Sequence, residues 1–153
     1  MAQPATAPKL AERPSLALTR RIRARPEKVY AAWTEPQNLV RWFGPASAKP
    51  GTLHADLDVR VGGRYRIQFE KNDGEYCEVG GLYRDVVPNE RLQFTWAWHS
   101  TPERESLVTI EFKLEAGGTL LVFNHAQFVD ETARDNHARG WNELFAKLDE
   151  FVS

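Results

Sequence analysis

"LHADLDVRVGGRYRIQFE", residues 53–70, decides the fold. Leu53, Ala55, Leu57, Val59 and Val61 alternate strictly with His54, Asp56, Asp58 and Arg60. Successive strand side chains point to opposite faces, so this pattern predicts a half-buried antiparallel strand with one wet face. Gly62-Gly63 breaks the run as a tight turn, and Tyr65, Ile67 and Phe69 then resume it. The same alternation continues downstream. "NDG" at 72–74 turns the chain into a long strand through "EYCEVGGLYRDVV", 75–87, where Gly80-Gly81 predicts a bulge or bend. After "PNE", the stretch "RLQFTWAWH" at 91–99 places Leu92, Phe94, Trp96 and Trp98 on one face. "SLVTIEFKLE" at 106–115 does the same with Val108, Ile110, Phe112 and Leu114, and "AGG" turns into a last strand, "TLLVFNHAQF", 119–128.

Upstream, "SLALTRRIR" at 15–23 reads as a first strand with Leu16, Leu18 and Ile22 on one face. Arg20 falls in the same phase, which leaves two readings open: a bulge, or an inner face that ends early. Pro26 starts a helix with Val29, Tyr30 and Trp33 on its apolar side, and Pro36 ends it and opens a second short helix. That second helix carries Leu39, Val40, Trp42 and Phe43 and stops at Gly44-Pro45. The chain closes with a helix from about Asp130 to Phe151. Its stripe runs through His137, Trp141, Leu144, Phe145 and Leu148. The order is β, α, α, six strands, then a long α. Consecutive hairpins imply one antiparallel sheet, and the last helix is the only element long enough to cover its apolar face.

Size and composition narrow the function classes. The 153 residues suit a single domain over 15–153, with the Ala- and Pro-rich segment 1–14 as a flexible leader. A net charge of −1 offers no basic field for nucleic acid or an anionic membrane. No apolar run approaches the ~20 residues that span a bilayer, and residues 1–15, with no apolar core, are not expected to act as a secretory signal. The single Cys77 makes no internal disulfide, which fits a cytoplasmic location. Five Trp, eight Phe and four Tyr are many for this length, and such residues both fill cores and line apolar pockets.

Four motifs stand in order: "RWFGP" at 41–45, "DLDVRVGGRYR" at 56–66, "ERLQFTW" at 90–96 and "HARGW" at 137–141. Together they resemble proteins similar to the C-terminal domain of the activator of Hsp90 ATPase, within the START-like (SRPBCC) superfamily. The resemblance covers roughly residues 15–152. It implies an α+β helix-grip fold: a curved antiparallel sheet around a long C-terminal helix, with two short helices after the first strand and a cavity between sheet and helix. Many bacterial members are single domains. The superfamily also holds lipid carriers, cyclases, hormone receptors and resistance proteins, so fold alone does not assign function. The separate N-terminal domain of the full-length Hsp90 activator is not expected here, which argues against a complete co-chaperone role.

The resemblance turns Leu121, Phe123 and His125 toward the cavity and places the middle of the last helix on its wall. The expected lining is Trp42, Phe43, Tyr65, Phe69, Tyr83, Trp96, Trp98, Phe123, His125, Trp141 and Phe145, with His137 at a polar rim. Gly140 beside Trp141 is expected to let the sheet approach the helix closely. Such a lining suits a small hydrophobic or ring-bearing ligand, bound or carried without catalysis and without a cofactor. Two alternatives stand beside this: a cyclase- or hydrolase-type enzyme with His125 or Tyr83 as acid/base, and a stress- or chaperone-linked interaction module. His54, Asp56 and Asp58 lie at every second position of one strand, roughly 6–7 Å apart, too far for a shared metal ion. Asp58 and Arg60 are expected to support each other. No nucleophile-elbow or phosphate-loop signature occurs. Leu120 and Val122 on the outer face are a hint of a homodimer.

Overall fold

The computed structural model describes residues 9–153. The greater part of the expected leader, residues 1–8, lies outside them. A 3-10 turn at Leu10–Glu12 leads in, and by Pro14 the chain is tied down: its carbonyl accepts from the Phe128 N–H at 3.1 Å.

Seven strands form one curved antiparallel sheet in the order β1-β7-β6-β5-β4-β3-β2. They are β1 (Leu16–Ile22), β2 (His54–Leu57), β3 (Arg64–Glu70), β4 (Tyr76–Val87), β5 (Arg91–Trp98), β6 (Ser106–Glu115) and β7 (Gly118–Ala126). Strands β2 to β7 follow one another as hairpins, as the turn signals require. The first strand pairs with β7, so α1 (Pro26–Thr34) and α2 (Pro36–Trp42) carry the chain from one edge to the other. Each of these helices begins on a proline, whose missing N–H is one that a first turn leaves unbonded anyway. The long helix α3 (Glu131–Val152) is capped by Asp130, whose carboxylate accepts from the Ala133 N–H at 2.8 Å. Its stripe of Trp141, Leu144, Phe145, Leu148 and Val152 is buried against the sheet, with Phe123 on Trp141 at 4.7 Å and on Phe145 at 5.0 Å between ring centroids. This is the helix-grip α+β architecture.

Four local expectations change. The 53–61 alternation is a strand only to Leu57. From Asp58 the chain curls: Arg60 and Gly63 donate to the Asp58 and Arg60 carbonyls at 2.9 and 2.8 Å, and Val61 is left 64% exposed. Arg60 still pairs with Asp58, at 2.9 Å, but across a turn. Arg20 brings no bulge to β1, whose register with β7 is unbroken from Leu16 to Ile22. Its guanidinium reaches Asp149 on α3 at 3.2 Å, so a charged residue takes an inner position by pairing with the covering helix. In β4 the register shift falls between Tyr83 and Asp85, and not at the glycines. Gly81 serves close approach instead: a Cβ there would stand 2.1 Å from the Thr95 carbonyl oxygen. Leu114 is 61% exposed, because β6 runs beyond the end of the core into its hairpin with β7.

The 58–63 curl depends on Gly63. An added Cβ would sit 2.0 Å from the Asp58 carbonyl oxygen, so the backbone itself must shift. Gly63→Ala is expected to cost on the order of 2 kcal/mol, read as a lower urea midpoint at unchanged m-value. An unchanged midpoint would show that the turn relaxes freely.

Candidate functional site

Most of the space between sheet and helices is filled. Trp42 is locked by an indole bond to the Ala32 carbonyl at 3.0 Å, and Phe123, His125 and Phe145 are buried as well. A residual void of about 20 Å³, the size of about one water, lies among Trp33, Phe43, Tyr65, Tyr83, Phe94 and Trp96. At one end of the interface the packing opens into a cleft of about 270 Å³. Its walls are Phe43 and Pro45 from the segment leaving α2, Phe69 of β3, Trp96 and Trp98 of β5, and Asn136, His137, Gly140, Trp141 and Leu144 of α3.

The expected lining residues therefore fall into three groups. Phe43, Phe69, Trp96, Trp98 and Trp141 border the cleft. Tyr65 and Tyr83 border the small void, together with Phe43 and Trp96. Trp42, Phe123, His125 and Phe145 border neither. His137 stands at the cleft wall, where the polar rim was expected. Pro45, Asn136 and Leu144 are additions. Gly140 has a different part from the one expected of it: a Cβ there would meet nothing within 4 Å, so it leaves space and does not admit the sheet.

Two histidines wire the aromatic walls together. Trp141 Nε1–H donates to His125 Nδ1 at 3.0 Å. His125 Nε2 must then carry the proton and donate to Ser106 Oγ at 2.7 Å, and Ser106 donates on to the Trp96 carbonyl at 3.2 Å. This chain ties α3 to β7, β6 and β5. His137 has the opposite tautomer. Its Nδ1–H donates to the Ala133 carbonyl at 2.7 Å, and its Nε2 accepts from Trp98 at 3.1 Å and from Trp96 at 3.4 Å. Burial holds the His125 imidazolium far below the ordinary histidine range, reinforced by the neighbouring His137. Burial also lowers His137, against the pull of its Ala133 bond. Both rings are neutral at pH 7, and protonating either one places a donor against an indole N–H.

The His125–Ser106 contact has hydrogen-bond length, yet both side chains are sealed in the core and His125 has both nitrogens bonded. Burial, and after it the nearby Tyr30 and Asp58, pushes the Tyr83 hydroxyl well above its ordinary value. His54 and Asp56 form an exposed string with Arg66, at 3.3 and 2.9 Å. Among the described residues no three metal-ligating side chains gather, and no helix is long and apolar enough to cross a membrane.

A family model for activator of Hsp90 ATPase homolog 1-like proteins matches residues 23–153. The chain belongs to that family. Solved structures agree with this AHSA1-like fold. Protein CV1439 from Chromobacterium violaceum is 26% identical with a TM-score of 0.79, the match covering 90% of this chain and 96% of that one. The AHSA1-like protein from Aeromonas hydrophila is 23% identical with a TM-score of 0.77, over 90% and 91%. CalU16 from Micromonospora echinospora is 27% identical with a TM-score of 0.68, over 91% and 76%. No curated protein matches at a significant level.

The histidine network sets a pH dependence. Folding depresses both imidazoles, so the unfolded chain binds more protons below about pH 6.5, the free histidine value. Stability is then level above that pH and falls as the pH drops below it, by up to about 1.4 kcal/mol per pH unit for each fully depressed histidine. Asp56 and Glu78, held low by Arg66 and Tyr76 respectively, act only further down the scale. Urea midpoints measured from pH 8 to 5 are expected to hold to about pH 6.5 and then decline. Midpoints that rise on acidification would reverse the assignment.

Proposed function

We propose that the protein binds a small, uncharged, ring-bearing hydrophobic molecule in the cleft and carries it without chemical change. One observation carries this reading: an aromatic cleft of about 270 Å³ remains open in an interface where the rest of the space shrinks to about 20 Å³. The cleft is bordered by the rings of Phe43, Phe69, Trp96, Trp98 and Trp141, which suit a ring-bearing partner. Its polar lining is limited to Asn136 and His137, and the two nitrogens of His137 are already bonded. Neither lysine nor arginine borders it, so a buried anion would lack a countercharge. The lining also brings no free acid and base together within it. His125, the acid/base candidate in the core, is bonded on both sides away from the cleft. Carriage therefore fits better than catalysis.

Gently purified protein is expected to show a single noncovalent adduct by native mass spectrometry, and its removal is expected to raise tryptophan fluorescence. Gly140→Leu supplies the control. Its Cβ meets nothing within 4 Å, and the longer side chain fills the cleft while improving helix propensity by roughly 0.8 kcal/mol. That variant is expected to fold at least as stably and to lose the adduct. An adduct retained by Gly140→Leu, or none on either protein together with no quenching by added aromatics, would count against the proposal.

A further inference from the structure

The five tryptophans differ in one respect. Trp42, Trp96, Trp98 and Trp141 each donate their indole N–H to a carbonyl or an imidazole. Trp33 Nε1 has no partner, and it is the one such buried side-chain nitrogen or oxygen among the described residues. A buried donor left unbonded is destabilising, and an indole offers a donor only. Trp33 is 5% exposed and borders the small void, so the residue that carries the unbonded group has space beside it.

Phe43 and Trp96 border both the void and the cleft, and so stand between them. Trp96 is pinned. Its indole bonds to His137, it lies within β5, and it packs on Trp141 at 5.0 Å. Phe43 has no polar tether. It follows the last turn of α2, immediately before Gly44-Pro45, and its ring neighbours stand at 5.9 to 6.3 Å, against 4.7 Å for Trp33 on Trp42. Of the two, Phe43 is the less tightly held. The backbone after it is held to α3, with the Ala46 N–H on Glu143 at 2.8 Å and the Gly44 carbonyl on Lys147. A ring can thus move aside without loss of the helix contacts.

Resting on the reading of the cleft as a ligand site, we infer that Trp33 Nε1–H is the polar anchor for the ligand's buried end, and that Phe43 is the partition displaced to reach it. The ligand is then a flat, ring-bearing molecule with an uncharged acceptor oxygen, a ketone or cyclic ether, at its leading end. An acceptor is required because the indole only donates. An uncharged one is required because neither the void nor the cleft is bordered by a cation. The Tyr65 hydroxyl is not the anchor, since its proton is given to the Thr95 carbonyl at 2.6 Å.

A matched pair of probes tests this. 1-Tetralone and tetralin share one carbon frame and differ by the carbonyl oxygen. By tryptophan fluorescence titration, the ketone is expected to bind about ten-fold more tightly, the value of roughly one net hydrogen bond. The Trp33 indole ¹H–¹⁵N cross-peak is expected to move downfield with the ketone and not with the hydrocarbon. Trp33→Phe should erase the difference between the probes, and Phe43→Ala should raise the affinity for both. Should Trp33→Phe fail to fold, the wild-type cross-peak still decides, because the other four indoles are assigned through their own variants. Equal binding of both probes with a stationary Trp33 cross-peak would overturn the anchor and leave the carrier reading standing; a water molecule would then be the void's occupant. Binding of neither probe, by wild type or by Phe43→Ala, would remove both.

Discussion

The covering helix is held to the sheet through indole N–H groups that accept no substitute for a neutral imidazole. Trp141 on α3 needs the Nδ1 lone pair of His125, and Trp98 and Trp96 on β5 need the Nε2 lone pair of His137. Each indole is a donor only, so each histidine must keep one nitrogen bare and place its proton on the other. The acceptors for those protons, Ser106 on β6 and the Ala133 carbonyl on α3, are then part of the same constraint. Buried polar groups wired in this way specify a single arrangement, because any slip of helix against sheet leaves a donor unbonded in a low dielectric. The cleft is a consequence. Trp96, Trp98, Trp141 and His137, four of its walls, are the members of this network.

Such wiring also separates two kinds of aromatic residue that look alike in sequence. Trp33 and Trp42 both lie on short helices, both are buried, and their rings touch at 4.7 Å. Trp42 finds the Ala32 carbonyl, and Trp33 finds nothing. A partner ten residues away along a bent helix pair depends on how α1 and α2 cross, which no local pattern records. The same holds for Ser106, whose hydroxyl matters only because β6 and β7 set it beside His125.

Much of the fold is nevertheless legible in the order of the residues. The period-two placement of Leu92, Phe94, Trp96 and Trp98 shows which face of β5 is inner, and Leu121, Phe123 and His125 are buried on β7 as the family resemblance implies. Asp130 before an apolar stripe marks where α3 begins. What the pattern does not contain is where a facing surface ends. Val61 and Leu114 continue the alternation and are exposed, because the chain curls out of the sheet before Val61 and β6 runs past the end of the core at Leu114. For the same reason the lining is only partly readable. Periodicity places Phe145 on the apolar stripe of α3 and the resemblance turns Phe123 inward, and both are buried, but filled and open parts of one inner face share one periodicity. Gly140 illustrates the limit: a small residue on a packed helix face reads as close approach, and here it borders empty space.

Two neutral histidines in opposite tautomers hold the helix, the sheet and the cleft in place together. The direct measurement is the ¹⁵N chemical shifts of both imidazoles in ¹⁵N-histidine-labelled protein at pH 7. His125 is predicted to carry its proton on Nε2 and His137 on Nδ1, with neither ring charged. An imidazolium at either position, or His125 protonated on Nδ1, would set a proton where an indole N–H has to donate. The helix would then be held to the sheet in some other way.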